Sequence, residues 1–143
     1  MSDRAFVDTN VLVYCFDSAE SAKRTRALEL LDEGEDELVI STQVLQEFYV
    51  TVVRKLARPL SEAEAEKALH ELAALPTVTV DSALVLSAVA LARGKKLSLW
   101  DALILEAARS AGCVRLLTED LQHGLQLGDL TVLNPFLGSA RKR

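Results

Sequence analysis

The sequence predicts an α/β domain built on a largely parallel sheet. Two observations predict it: short apolar or β-branched runs alternate with longer amphipathic segments, and the connections between them are brief. A third, the lack of any repeat, linker or low-complexity stretch in 143 residues, makes it one domain.

The elements follow in order. Ala5 to Val7 is a short apolar run ending at Asp8 and reads as a first buried strand. Val11 to Phe16 begins a helix after the turn Asp8-Thr9-Asn10. Asp17 and Glu20 have the spacing of a capping pair, ahead of a helix to about Leu31. After a loop at Gly34, Leu38-Val39-Ile40 is the second strand. From Thr42 to Ala57 the period changes, with Val44, Phe48 and Val52 repeating every four residues on an amphipathic helix that Pro59 ends. Ser61-x-x-Glu64 is a capping box for a helix to about Leu75, and Pro76 breaks the chain before the strand Val78-Thr79-Val80. Asp81 opens a helix to about Ala92, which Gly94 stops; Ser98 opens another to about Ala111, ended by Gly112. Val114 to Leu117 is a fourth strand and Thr131-Val132-Leu133 a fifth, terminated by Asn134-Pro135.

Composition narrows the class. Half the residues are apolar but only 5% aromatic, so Leu, Val and Ala fill the core. Cys15 and Cys113 belong to no ligand or redox spacing and read as small buried hydrophobes in a reducing setting. The longest greasy segment, Leu84 to Ala92, is closed by Arg93 and falls well short of the roughly 20 residues a membrane span needs, so a cytoplasmic protein without a membrane role is expected. The net charge of −5 argues mildly against nucleic acid, but acids lining a metal site would account for much of it. The bases are clustered: Lys23, Arg24 and Arg26; Arg54, Lys55 and Arg58; Arg93, Lys95 and Lys96; and the tail Arg141-Lys142-Arg143.

The acids carry the chemistry. Ligands of an open α/β sheet bind beyond the carboxyl ends of its strands, where strand order reverses. Asp8 follows the first strand and Asp120 the fourth, so both project into one crevice. Glu47 lies in the second turn of the helix after strand two, at the margin of its apolar stripe, where an unpaired carboxylate is costly. Asp101 is in the first turn of its own helix. Capping explains each acid taken singly: Asp101 lies three residues after Ser98, and Asp8 and Asp120 suit N-caps. It does not require all of them at one sheet end. Crowded carboxylates raise one another's pKa unless cations hold them ionised. An all-oxygen cluster selects Mg²⁺ or Mn²⁺, which suits phosphodiester chemistry. Thr9, Asn10, Ser98 and Thr118 are placed to orient those acids, although turn and cap chemistry suits them equally.

Phe6-Val7-Asp8-Thr9-Asn10-Val11-Leu12-Val13-Tyr14 resembles the opening of a PIN-domain nuclease, particularly the VapC-type toxins of bacterial toxin–antitoxin pairs. Ser41 to Tyr49 is similar to the family's second acidic motif, Ser98 to Ile104 to its third and Leu117-Thr118-Glu119-Asp120-Leu121 to its fourth. The blocks occur in order and span almost the whole chain. The resemblance implies a three-layer α/β/α sandwich over residues 1–137, its five-stranded sheet ordered 3-2-1-4-5; the basic end, 138–143, reads from its composition as a disordered solubilising tail rather than an RNA contact. The resemblance further implies Mg²⁺- or Mn²⁺-dependent endonucleolytic hydrolysis of RNA (tRNA or mRNA), a homodimer, and a cognate antitoxin in the active-site groove. Asp8, Glu47 and Asp101 carry over as the core acids and Asp120 as the fourth, with Glu119 the competing choice. Asn10 and Thr118 carry over as polar supporters.

His123 lies near the expected site, where it can donate a proton or act simply as a loop histidine; His70 reads as structural. Trp100 reads as core or dimer interface rather than a base-stacking platform. Asp17 and Asp81 read as caps, and Asp129 as a turn residue. A receiver-type phosphoacceptor would need a lysine after its last core strand, and none follows Leu117 or Leu133. An aspartyl phosphatase would want an acid two positions after Asp8, where Asn10 stands. An inactive interaction module of the same fold is the remaining alternative.

Overall fold

The alternation becomes, in the computed structural model, which describes residues 3–137, a sheet with helices packed against it. In chain order the elements are β1 (Arg4–Val7), α1 (Thr9–Tyr14), α2 (Ser21–Glu33), β2 (Glu37–Ser41), α3 (Thr42–Arg54), α4 (Glu62–Leu72), β3 (Thr77–Val78), α5 (Ser82–Lys95), α6 (Leu99–Ser110), β4 (Arg115–Leu117), β5 (Gln126–Leu127) and β6 (Leu130–Leu133). The sheet order is β3-β2-β1-β4-β6-β5. All neighbours are parallel except β5 and β6, which form an antiparallel hairpin pairing Gln126 with Thr131 and Leu127 with Leu130.

The expected order therefore holds for the five strands read from sequence, but the sheet has six. β5 escapes a pattern-based reading because its two residues are too few to show a period. The third strand is also shifted to Thr77–Val78, because Val80 donates its N–H to Thr42 Oγ1 instead of joining the sheet. The basic tail, 138–143, lies outside the described residues.

Packing explains the layers. Val44, Phe48 and Val52 are fully buried on α3, as their four-residue spacing requires. They share one core with Phe6 and Val7 of β1, Val39 and Ile40 of β2, Leu116 of β4 and Val132 of β6. A smaller cluster of Ala88, Ala102 and Leu103 seals α5 against α6. Cys15 and Cys113 are both buried free thiols, and burial pushes each up to about 11. None of the described helices is long and apolar enough to cross a membrane.

Local signals fix most helix ends. Ser61 and Glu64 exchange both bonds of a capping box at the head of α4, and the Asp81 carboxylate caps α5 by accepting from Leu84 N–H. The Asp17/Glu20 pair behaves differently. Glu20 is the N-cap of α2 but makes no side-chain cap bond, while Asp17 accepts from Ala19 N–H in the preceding turn. Gly94 does not stop α5. The helix continues to Lys95, and Lys96 turns left-handed (φ 56°) as Leu97 N–H bonds back to the Ala92 carbonyl. One glycine weakens a helix without ending it.

What matters for the site is the reversal around β1. The chain steps outward from β1 through β2 to β3, then returns through α5 and α6 to β4 on the other side of β1. The carboxyl ends of β1 and β4 thus flank the switch point of the sheet.

Candidate active site

Asp8 leaves β1 at that point. Its N–H still bonds to the Leu117 carbonyl of β4, so the backbone is held by the sheet while the side chain turns into the crevice. The carboxylate caps α1, Oδ1 accepting from Thr9 N–H at 2.7 Å, and Oδ2 accepts from the Thr118 hydroxyl at 2.8 Å. Asp8 is only 7% exposed.

Thr118 is fully buried, one residue beyond β4. Besides donating to Asp8, its oxygen accepts from Asn10 Nδ2 and from Asp120 N–H, each at 3.1 Å. Asn10 Nδ2 also reaches Asp120 Oδ2 at 3.0 Å, while its Oδ1 accepts from Glu119 N–H. Asp8, Asn10, Thr118 and Asp120 are consequently one connected network across the β1 and β4 ends. Glu47 joins from α3, where Oε1 accepts from Thr9 Oγ1 at 3.0 Å and Oε2 from Gln43 Nε2 at 3.2 Å. Asp101 enters from the first turn of α6, its N–H bonded to Ser98 Oγ at 3.1 Å.

The electrostatics tie the four acids together. Burial, the largest cause, pushes the Asp8 carboxyl up to about 6 against the lowering bonds from Thr118 and Thr9, and the charges of Asp120 and Glu47 add to the rise. Asp101 is raised too, first by burial and then by the same two neighbours, with Ser98 opposing. Each of the two is therefore within reach of the fields of Asp120 and Glu47. No cation figures among the groups acting on either.

Glu119 behaves differently from its neighbour. Its carboxylate faces away to accept from Lys23 Nζ at 2.9 Å and from the Tyr14 hydroxyl. Lys23 also lies 4.9 Å from the Tyr14 ring centroid and is held charged, above its ordinary range, by Glu119. Of the two adjacent acids, Asp120 is the one whose side chain meets the network.

His123 is an exposed turn histidine outside the acid groove, as its loop reading has it, while other expectations are corrected. It lines a separate hollow with Arg26, Asp36 and Arg115, and its Nδ1 accepts from Asn134 N–H. His70 stands on the exposed face of α4 beside Glu66, so it is not a packing residue. Trp100 is 63% exposed and is not core. Asp120 caps no helix: it lies on a bend after β4. Gln43 and the Tyr14–Lys23–Glu119 cluster are site neighbours that sequence reading missed. Lys23 and Glu119 are 96 positions apart, and no local spacing announces such a pair.

A groove of about 550 Å³ opens beside the acids, lined by Thr9, Asn10, Tyr14, Glu47, Lys55 and Asp120 among others. The donor set fits a hard divalent cation, being all oxygen and negative, with Lys55 on the groove wall. Among the described residues no three His, Cys, Asp or Glu side chains close into an ion cage by themselves.

Comparison with known proteins extends this geometry. The sequence model of the PIN domain matches residues 5–124. No curated protein matches. Solved structures share the fold. A toxin–antitoxin complex from Klebsiella pneumoniae superposes with a TM-score of 0.67 at 24% identity, over 92% of this chain and 97% of that one. VapC20 of Mycobacterium tuberculosis, described as a Sarcin-Ricin loop cleaving toxin, gives 0.64 at 20% identity over 78% of this chain and 86% of its own. VapBC2 of Rickettsia felis, bound to a DNA fragment from its promoter, gives 0.61 at 18% identity over 90% and 96%.

Proposed function

Because the chain belongs to the PIN domain family, we propose that it is a metal-dependent endoribonuclease, the toxin of a VapC-type toxin–antitoxin pair. What supports the reading is the hydrogen-bonded network that joins Asp8 and Asp120 across the β1/β4 switch point, with Glu47 bonded to Thr9 beside it, and the rise of Asp8 and Asp101 by burial and by the charges of Asp120 and Glu47. Capping accounts for the backbone bonds of Asp8 and Asp101, but not for that convergence.

In this reading Asp8, Glu47, Asp101 and Asp120 would hold Mg²⁺ or Mn²⁺, which would supply Lewis-acid chemistry for phosphodiester hydrolysis. The chain's own contribution is orientation. Thr9 N–H and the Thr118 hydroxyl fix both oxygens of Asp8, Thr9 Oγ1 and Gln43 fix both of Glu47, and Asn10 holds one of Asp120. The Asp101 carboxylate stands beside Ser98 at the head of α6, where it would meet a cation or accept a water proton. Tyr14 and Lys55 line the groove and stand where an RNA strand passes.

The partners follow from the same reading. The neighbour from Klebsiella pneumoniae is a toxin–antitoxin complex, which supports a cognate antitoxin here. A homodimer is supported by apolar surface that one copy leaves uncovered, with Leu86 at 71% exposure and Val89 beside it on α5.

Purified protein is expected to cleave RNA with Mg²⁺ or Mn²⁺ and not with EDTA. Asp8→Asn and Asp101→Asn should each lower the rate by about a hundredfold or more without unfolding the chain. Cleavage in EDTA, or full activity in both variants, would overturn the mechanism.

A further inference from the structure

Gln43 stands in the first turn of α3, one turn before Glu47, and is 7% exposed. Its Nε2 gives one proton to Glu47 Oε2 at 3.2 Å and the other to the Trp100 carbonyl at 3.3 Å. Reversing the amide would aim its oxygen at two acceptors, so this orientation is dictated. Trp100 immediately precedes Asp101, and among the described residues this is the only hydrogen bond joining α3 to α6. Two helices that each carry a site acid are thus linked by one side chain.

The other end of the amide sharpens the point. Gln43 Oε1 is buried and accepts no hydrogen bond from any described protein group. An apolar side chain of similar volume would avoid that unsatisfied oxygen and pack as well. A Gln–Glu pair one turn apart is common helix chemistry, yet such a pair lies on the surface and does not reach a second helix. What the amide provides here is two donors, one for each acid-bearing element.

We propose that Gln43 is a positioning residue of the acid site: it aligns the Glu47 carboxylate against the first turn of α6 and so sets the Glu47–Asp101 geometry that a divalent cation meets. The inference rests on the metal-dependent reading above. With Gln43 in place, both Glu47 oxygens are held, one from α1 and one from α3. Without it, Thr9 alone restrains the acid.

Gln43→Met in the full chain keeps the volume and removes both donors. Mn²⁺ affinity is read by electron paramagnetic resonance of the free ion, and thermal melting is followed separately in EDTA. The expected result is an unchanged or higher melting temperature in EDTA with Mn²⁺ binding weakened by about tenfold. In a Glu47→Gln background the same substitution should change Mn²⁺ affinity by less than about twofold, because it acts through Glu47. Wild-type affinity in Gln43→Met, equal loss in both backgrounds, or a lowered melting temperature in EDTA overturns the positioning role while the wild type's Mn²⁺ binding leaves the site reading standing. A wild type that binds no Mn²⁺ overturns both.

Discussion

Burial and function pull Asp8 in opposite directions. The proposed metal site needs it ionised, yet removal from water and the charges of Asp120 and Glu47 push its carboxyl up to about 6 from an ordinary 3.8. Between those two pH values the folded state binds a proton that the unfolded chain has released, so metal-free stability falls as pH rises through the window. The group contributes of the order of 3 kcal/mol to that fall, complete by about pH 7. Denaturant unfolding in EDTA at pH 4.5, 6 and 7.5 should show it, and Asp8→Asn should flatten the slope. An equal slope in the variant would mean that Asp8 is not the group responsible.

Helix ends expose how the chain manages φ. Gly94 sits inside α5 with open space, nothing within 4 Å, where a methyl group would project, whereas Lys96 takes the left-handed turn that glycine adopts freely. Gly94→Ala is expected to raise stability by about 0.5–1 kcal/mol, and Lys96→Gly by about 1 kcal/mol. Denaturant midpoints check both, and destabilisation by Gly94→Ala would contradict an interior helical position. The same elements mark what sequence can convey. The Val44/Phe48/Val52 stripe, the Ser61/Glu64 box and the Asp81 cap are local patterns, and each forms as its spacing demands. The nearness of Asp8 and Asp120 was legible because each follows a strand end. β5 was not, since two residues carry no period, and Gln43 was not, since its second partner is 57 positions away. His123, three residues from Asp120, is carried away from the acids by the turn into the β5–β6 hairpin, in keeping with its reading as a loop histidine.

At the scale of the molecule, the reading as a toxin has a direct consequence in cells. Induced expression without an antitoxin should arrest growth, and Asp101→Asn at matched protein level should not; equal growth in both, or arrest by both, would count against the nuclease-toxin reading. The sheet margins constrain how any partner can pair with the protein. β3 at one edge and β5 at the other are two residues each, and β5 is already occupied on its inner side by β6. Edges so short give an incoming peptide almost no ladder to extend. Backbone pairing along the sheet margins is therefore closed to a partner, and the same bluntness protects the overproduced chain from polymerising through its own sheet.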